Sequence, residues 1–406
     1  MGSVSPTLSA VSGSTVGSEI SPQVGMQASL KHALLKVDDN FSLSDAPTNE
    51  CDDDEPAMKN FTKSFPPPLK LGNSIASWKY DDITQTIGRM YSAEVDLVEV
   101  LESPNADAML LDLAITISQR GLVVFRNQGN LTPKQLKDFT HRLGQLTGKP
   151  SESSVHIHPI NHTVHKEGEK PDLEMSTIAR NPAKMLSKQT GVVKASGKKQ
   201  LKKQSVADGW HTDIAFERVT SDYTSLICRT RPSTGGDTVF ASAYEVYDRL
   251  SPPLRAWLET LTGRFSPVGY EPDPEVAHLY QIARGHPSNI DQSLNAEHPM
   301  VRTNPVTGWK SVFGVGHHLQ EVNGLAPAES KWIEDFLMAM VTNNHDLQCR
   351  VKWDVNDLAV FDNRSVYHTA TYDYNEPRVC HRVVAVGEPP ALDPKSVSRS
   401  DALGLE

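Results

Sequence analysis

Leu358-Ala-Val-Phe361-Asp362-Asn-Arg-Ser-Val-Tyr-His368 is the stretch on which the fold turns. Its first four residues form a short apolar run of strand character, a polar turn follows, and a histidine stands just beyond it. Arg378 and Arg382 come ten and fourteen residues after that histidine, around the start of another strand over Val379 to Gly387. The same rhythm governs the chain from about His156 onward. Tyr223 to Thr230, Thr238 to Ala241, Lys310 to Phe313 and Gln348 to Trp353 all read as short strands separated by Gly, Pro and Asn turns. Helices interrupt twice, over Tyr244 to Leu261 and over Pro327 to about Thr342, where Trp332, Ile333, Phe336, Leu337 and Met340 share a face.

Upstream, Val95 to Leu101 carries strand-forming residues, and Ala106 to Arg120 places Met109, Leu110, Leu113 and Ile117 at helical spacing before Gly121. Leu122 to Arg126 reads as a buried strand. Thr132-Pro133 caps a second helix with Leu136, Phe139, Leu143 and Leu146 on one stripe. Many short strands with a few flanking helices predict a mostly β fold, a double-stranded β-helix (jelly-roll) barrel, and not a βαβ alternation.

Residues 1–68 run through Ser, Gly, Thr, Pro and the acidic Cys51-Asp-Asp-Asp-Glu55 without a sustained apolar period, so they predict a disordered extension. The expected domain covers 69–392, with 393–406 as a C-terminal tail. Inside it, seven lysines between Lys184 and Lys203 make a basic surface loop or an anion-attracting lid within a chain of net charge −10. That acidity excludes a general nucleic-acid binder. Cys51, Cys228, Cys349 and Cys380 show no metal or disulfide spacing. With no bilayer-length apolar run and no secretory leader, the expectation is a cytoplasmic protein with no membrane partner; a homo-oligomer is compatible with the sequence.

Asp208-Gly-Trp-His211-Thr-Asp213-Ile-Ala-Phe216 carries the strongest local chemistry. Positions i and i+2 of an extended segment project to one side, so the His211 imidazole and Asp213 carboxylate can reach one ion. A pair of this kind arises often by chance. A distant second histidine, His368, would complete a two-histidine, one-carboxylate facial triad, which leaves adjacent sites open for a co-substrate and O2. An arginine at 378 or 382 could then hold the far carboxylate of a dicarboxylate co-substrate. His317-His318 read as neighbours diverging on a glycine-flanked loop, and His156, His158, His162 and His165 as a cluster unrelated to a second metal.

His211-Thr-Asp213, Gly235-Gly-Asp-Thr238, Asp362-Asn-Arg-Ser-Val-Tyr-His368 and Arg378-Val-Cys-His-Arg382 resemble, in order and spacing, the motifs of the taurine and 2,4-dichlorophenoxyacetate dioxygenase family. His156-Ile-His158-Pro, Tyr244-Glu-Val-Tyr-Asp-Arg-Leu-Ser and His298 to Trp309 are similar to its fungal sulfonate dioxygenase branch. The resemblance covers about Val95 to Pro390. It implies an Fe(II)- and 2-oxoglutarate-dependent dioxygenase of the jelly-roll type, with His211, Asp213 and His368 as iron ligands. It implies Thr238 and Arg378 for 2-oxoglutarate, His158 and Arg382 for an anionic substrate, and Phe216 and Phe361 as pocket walls. The expected reaction is hydroxylation of a small anion, most simply an organosulfonate, releasing sulfite and an aldehyde. Ala207 replaces the family's asparagine four before the first histidine, and Asn161 replaces a tyrosine, so taurine itself is not implied. A tailoring oxygenase of a larger metabolite, a non-catalytic 2-oxoglutarate-binding protein and a zinc hydrolase are the alternatives; the arginine for a dicarboxylate favours iron over zinc.

Overall fold

The computed structural model describes residues 58, 61–159, 162–163, 170–180, 204–267 and 274–405, all within one compact unit over 54–406. The lysine-rich 184–203 segment, Asn161, and nearly all of the expected N-terminal extension lie outside these residues. Phe61 to Phe65 are tied to the far end of the chain: Lys63 N donates to Leu392 O (3.0 Å) and Phe65 N to the Asp393 carboxylate (2.9 Å). The stretch expected as a C-terminal tail is likewise joined to the domain, Val397 bridging Trp309 and the short helix Arg399–Leu403 placing Arg399 on Glu245.

The largest sheet has seven strands in the order Tyr80–Asp82, Arg89–Tyr91, Leu122–Phe125, Leu358–Asp362, Ser221–Thr230, Arg378–Val386 and Ser176–Arg180. All neighbours are antiparallel except Arg89–Tyr91 with Leu122–Phe125. A second sheet pairs Gln348–Val351 and Val366–Ala370 on either side of Thr238–Ser242. Leu319–Val322, Thr262–Phe265 and Ala296–Pro299 form a third, and Lys310–Val312 with Val301–Thr303 a ribbon.

These sheets correct the jelly-roll expectation. Among the described residues no ladder passes from one sheet to the next, and the large sheet ends at two edges, so no barrel closes. The fold is mixed α/β with several separate sheets. Alternation along a strand encodes which face is buried, but not whether the edges curl to meet.

Alternation does explain the two sides of the large sheet. On Ser221–Thr230, Tyr223 and Ile227 face the helices Ala106–Arg120 and Pro133–Leu146, whereas Leu226 and Cys228 face the second sheet with Phe240, Phe361 and Cys380. Pro133–Leu146 starts as predicted: Thr132 accepts from Gln135 N and the Gln135 side chain returns to Thr132 N, a reciprocal cap that contributes about 1 kcal/mol.

Two expectations fail for local reasons. Val95 to Leu101 is not a strand but the start of a helix, Leu97–Glu102, because the Asp96 carboxylate accepts from Val98 N (2.8 Å) and nucleates a turn against β-branched preference. The helix expected over Tyr244 to Leu261 is two, Ala243–Asp248 and Pro252–Leu258, since Pro252 and Pro253 can begin a helix but cannot continue one. Pro327–Thr342 holds, burying Ile333 and Leu337 while Trp332 stays exposed. No helix of the described residues is long and apolar enough to cross a membrane.

Candidate metal centre

His368 lies on Val366–Ala370 of the second sheet, and His211 pairs with it as an isolated antiparallel bridge. Their backbones exchange two hydrogen bonds, His211 N to His368 O (3.1 Å) and His368 N to His211 O (2.9 Å). Directly opposed residues project side chains to the same side. The rings therefore come together with centroids 4.2 Å apart. Asp213, two residues on, completes the group: its Oδ1 is 3.8 Å from His211 Nε2 and 3.9 Å from His368 Nε2. One ion can touch all three, and this is the set of metal-ligand types that converges among the described residues.

The donors suit ferrous iron. His211 Nδ1 lies 2.8 Å from the Gly209 carbonyl, which can only accept, so Nδ1 carries the proton and Nε2 keeps its lone pair toward Asp213. Burial, helped by the charge of His368, pushes the His211 imidazole down to about 3, and burial pushes His368 down to about 4. Both are neutral ligands at physiological pH. Phe361 and Phe240 flank His368, at 4.7 and 5.9 Å between centroids, and orient its ring by packing while its Nδ1 has no partner among the described residues. Burial raises the Asp213 carboxyl, but Arg382 and the two histidines outweigh it and hold the group well below the usual carboxylate range. Two neutral imidazoles and one fixed carboxylate make the facial triad typical of non-haem Fe(II).

Arg378, Cys380 and Arg382 alternate along Arg378–Val386 and face the second sheet. Arg378 is buried, with Nε donating to Gly236 O (2.7 Å) and Nη2 to Thr238 Oγ1 (3.3 Å). Both partners are neutral, and among the described residues no carboxylate pairs with this cation. Thr238 Oγ1 also accepts from Trp353 Nε1 (3.1 Å), so its lone pairs are taken and its own proton is left to donate. A buried guanidinium lacking a counter-charge beside a donor hydroxyl fits the remote carboxylate of 2-oxoglutarate.

Arg382 is shared with the metal-ligating carboxylate through one of its donors. Its Nη1 donates to Asp213 Oδ1 (2.5 Å), while its Nε is enclosed without a partner among the described residues. Burial, helped by the nearby Arg382 charge, holds the His158 imidazole well below the ordinary value. Phe216 lies 6.4 Å from His158 and 5.3 Å from His318.

Several contributors were not foreseen. Thr224 Oγ1 donates to Asp213 Oδ2 (2.9 Å), and Asn363 Oδ1 receives Asp213 N (2.9 Å). Asn363 sits inside the Asp362 to His368 block, and that position was its only signal. His317 and His318 do lie on a loop, but their rings reach within 5.0 and 5.9 Å of His211. Gly314 and Gly316, at φ 78° and 114°, turn this loop onto the site; a Cβ at Gly316 would meet Trp210 O at 2.0 Å.

The buried histidines set an acid limit on stability. His211, His298 and His368 are held down to about 3, 3 and 4, chiefly by burial, whereas in the unfolded chain each returns to 6.5. Between those values the unfolded chain takes up protons that the folded chain refuses. Stability present above about pH 6.5 is therefore lost as pH falls, by up to roughly 1.4 kcal/mol per pH unit for each histidine. Apo-protein followed by circular dichroism is expected to melt at a constant temperature between about pH 7 and 8 and at steeply lower temperatures from about 6.5 to 4.5; a flat profile would contradict the burial.

Comparison with known proteins agrees with this centre. The family model described as Taurine catabolism dioxygenase TauD, TfdA family matches residues 79–384. Alpha-ketoglutarate-dependent dioxygenase btcD of Neocamarosporium betae is 40% identical over 346 residues, 82% of this chain and 98% of that protein. The alpha-ketoglutarate-dependent sulfonate dioxygenase of Saccharomyces cerevisiae is 28% identical, over 84% of this chain and 74% of its own. The crystal structure of a taurine dioxygenase from Burkholderia xenovorans superposes with a TM-score of 0.57 at 25% identity, covering 79% of this chain and 92% of that one.

Proposed function

The chain belongs to the TauD/TfdA dioxygenase family and is a 2-oxoglutarate-dependent dioxygenase acting on a small anionic substrate; from that premise we propose that the substrate is an organosulfonate, hydroxylated at the carbon bearing sulfur. The observation that carries the reading is Arg382, a cation at the rim of the triad whose Nε has no partner among the described residues, with His158 beside it. A sulfonate there would take the arginine's remaining donors and hold its α-carbon toward the metal. The S. cerevisiae relative named for sulfonates supports the same class.

His211, Asp213 and His368 would hold the iron, and Arg378 with Thr238 the remote carboxylate of 2-oxoglutarate. When bound, iron and 2-oxoglutarate supply the oxidation, placing one atom of O2 in the substrate and the other in succinate with loss of CO2. The protein's share is placement. Thr224 and Arg382 fix the carboxylate that would bind the metal, and the Phe240 and Phe361 rings fix His368. A hydroxylated α-carbon bearing sulfonate then expels sulfite and leaves an aldehyde.

A second reading, a tailoring oxygenase of a larger metabolite, draws on Ala207. This small residue borders a cavity of about 170 Å³ together with Val315, Gly316, Leu319 and Met338, and so leaves room beside the His211 segment. Succinate and sulfite should be measured together over a panel of alkyl sulfonates, with His211→Ala as the blank. Equal release of both supports the sulfonate reading; a panel in which no member yields sulfite ends it, and succinate released with a bulkier acid would favour the second.

A further inference from the structure

Immediately after the ligand Asp213, Ile214 sits at φ 50°, a left-handed conformation that a β-branched residue adopts only under constraint. The constraints are visible. Asp213 N is bound by Asn363 Oδ1 (2.9 Å), the turn is closed by Glu217 N on Ile214 O (3.0 Å), and His298 Nε2 donates to Ala215 O (3.0 Å). The firmest hold is on Glu217. Its buried carboxylate receives Arg284 Nε (2.6 Å) and Nη2 (2.8 Å) as a bidentate pair and His156 Nε2 (2.9 Å) as a third donor.

Arg284 is itself anchored. Its Nη1 reaches the carbonyls of Tyr280 and Asp291 (both 3.3 Å), and its backbone N–H donates to Asn289 O (2.9 Å). Asn289 in turn grips Val219, accepting from its N–H (2.9 Å) and donating to its carbonyl (2.8 Å). The segment around 284–289 is thus bolted to the far side of the turn. None of Glu217, Arg284 and His156 has a place in the chemistry derived above, yet a buried three-member polar network is costly unless every partner is kept.

We propose that Arg284, Glu217 and His156 form a positioning clamp that holds the Asp213–Glu217 turn in its strained form, aiming the Asp213 carboxylate at the two imidazoles. The same turn sets Phe216 beside His158 and His318, so the clamp orders the ligand and the neighbouring wall together. The inference rests on the triad being the metal centre.

Calorimetric titration with Mn(II) alone tests it without turnover. Arg284→Met is expected to weaken Mn(II) binding about tenfold or more, within the range seen when outer partners of a metal ligand are lost. Arg284→Lys should restore only part of it, because lysine supplies the charge without the fork. Should Arg284→Met fold poorly, Arg284→Met with Glu217→Met removes the clamp and leaves neither charge of the pair stranded. Glycine accepts a φ of 50° without strain, so in an Ile214→Gly background the Arg284→Met loss should shrink to less than about threefold. Clamp variants that bind Mn(II) like wild type while melting at lower temperature, or a loss undiminished in the Ile214→Gly background, would overturn the clamp alone. Wild-type protein that fails to bind Mn(II) would overturn the metal reading, and the clamp with it.

Discussion

Replacing Asp213 by asparagine is expected to abolish metal binding and succinate formation together. The amide keeps the shape and can still accept from Thr224, but it removes the one anionic donor of the triad and the counter-charge of Arg382, whose Nη1 it meets at 2.5 Å. Both losses act in the same direction. The guanidinium is only 12% exposed at its side chain, so losing its partner adds a stability cost of about 3 kcal/mol. Turnover should fall by more than about a hundredfold, beyond the cost of losing an outer partner of a ligand. Residual succinate formation within tenfold of wild type, in folded protein, would remove Asp213 from the metal site.

Replacing Arg378 by leucine is expected to act on the co-substrate and spare the metal. Among the described residues Arg378 is buried with neutral partners only, so the dicarboxylate would be its counter-charge. Truncating one member of a buried, hydrogen-bonded charge pair costs roughly 2–5 kcal/mol, which corresponds to a rise in KM for 2-oxoglutarate of thirtyfold or more. Mn(II) affinity should remain near wild type, because Arg378 contacts none of the three ligands in the hydrogen bonds seen. Thr238→Val should give a smaller rise, about tenfold, since it removes one hydrogen bond to a charged group. An unchanged KM in Arg378→Leu would place the carboxylate elsewhere.

The three side chains that converge as candidate metal ligands were legible because their signals are local and chemical. His211 and Asp213 are two residues apart on an extended segment, and His368 follows a strand with two arginines at strand-compatible spacing. Arg378 and Arg382 share a face of one strand, as their separation of four requires. Arg382 was expected toward a substrate anion and is found on Asp213; both roles suit a cation at that rim, and spacing could not divide them. His317-His318 escaped because the reach of their rings depends on two glycines packed against Trp210 and Phe265.

By itself the sequence determined the residue types that converge at the metal centre, the Thr132 helix cap, and the alternation that buries one face of each strand. These follow from interactions within a few residues. Only the tertiary structure decided the rest: the backbone bridge that sets His211 against His368, the clamp on a strained Ile214, and sheets that remain separate where a closed barrel was expected. Each of those depends on contacts between segments tens to hundreds of residues apart, whose free energy is set by packing and hydrogen-bond closure in three dimensions and leaves no periodic mark on the chain.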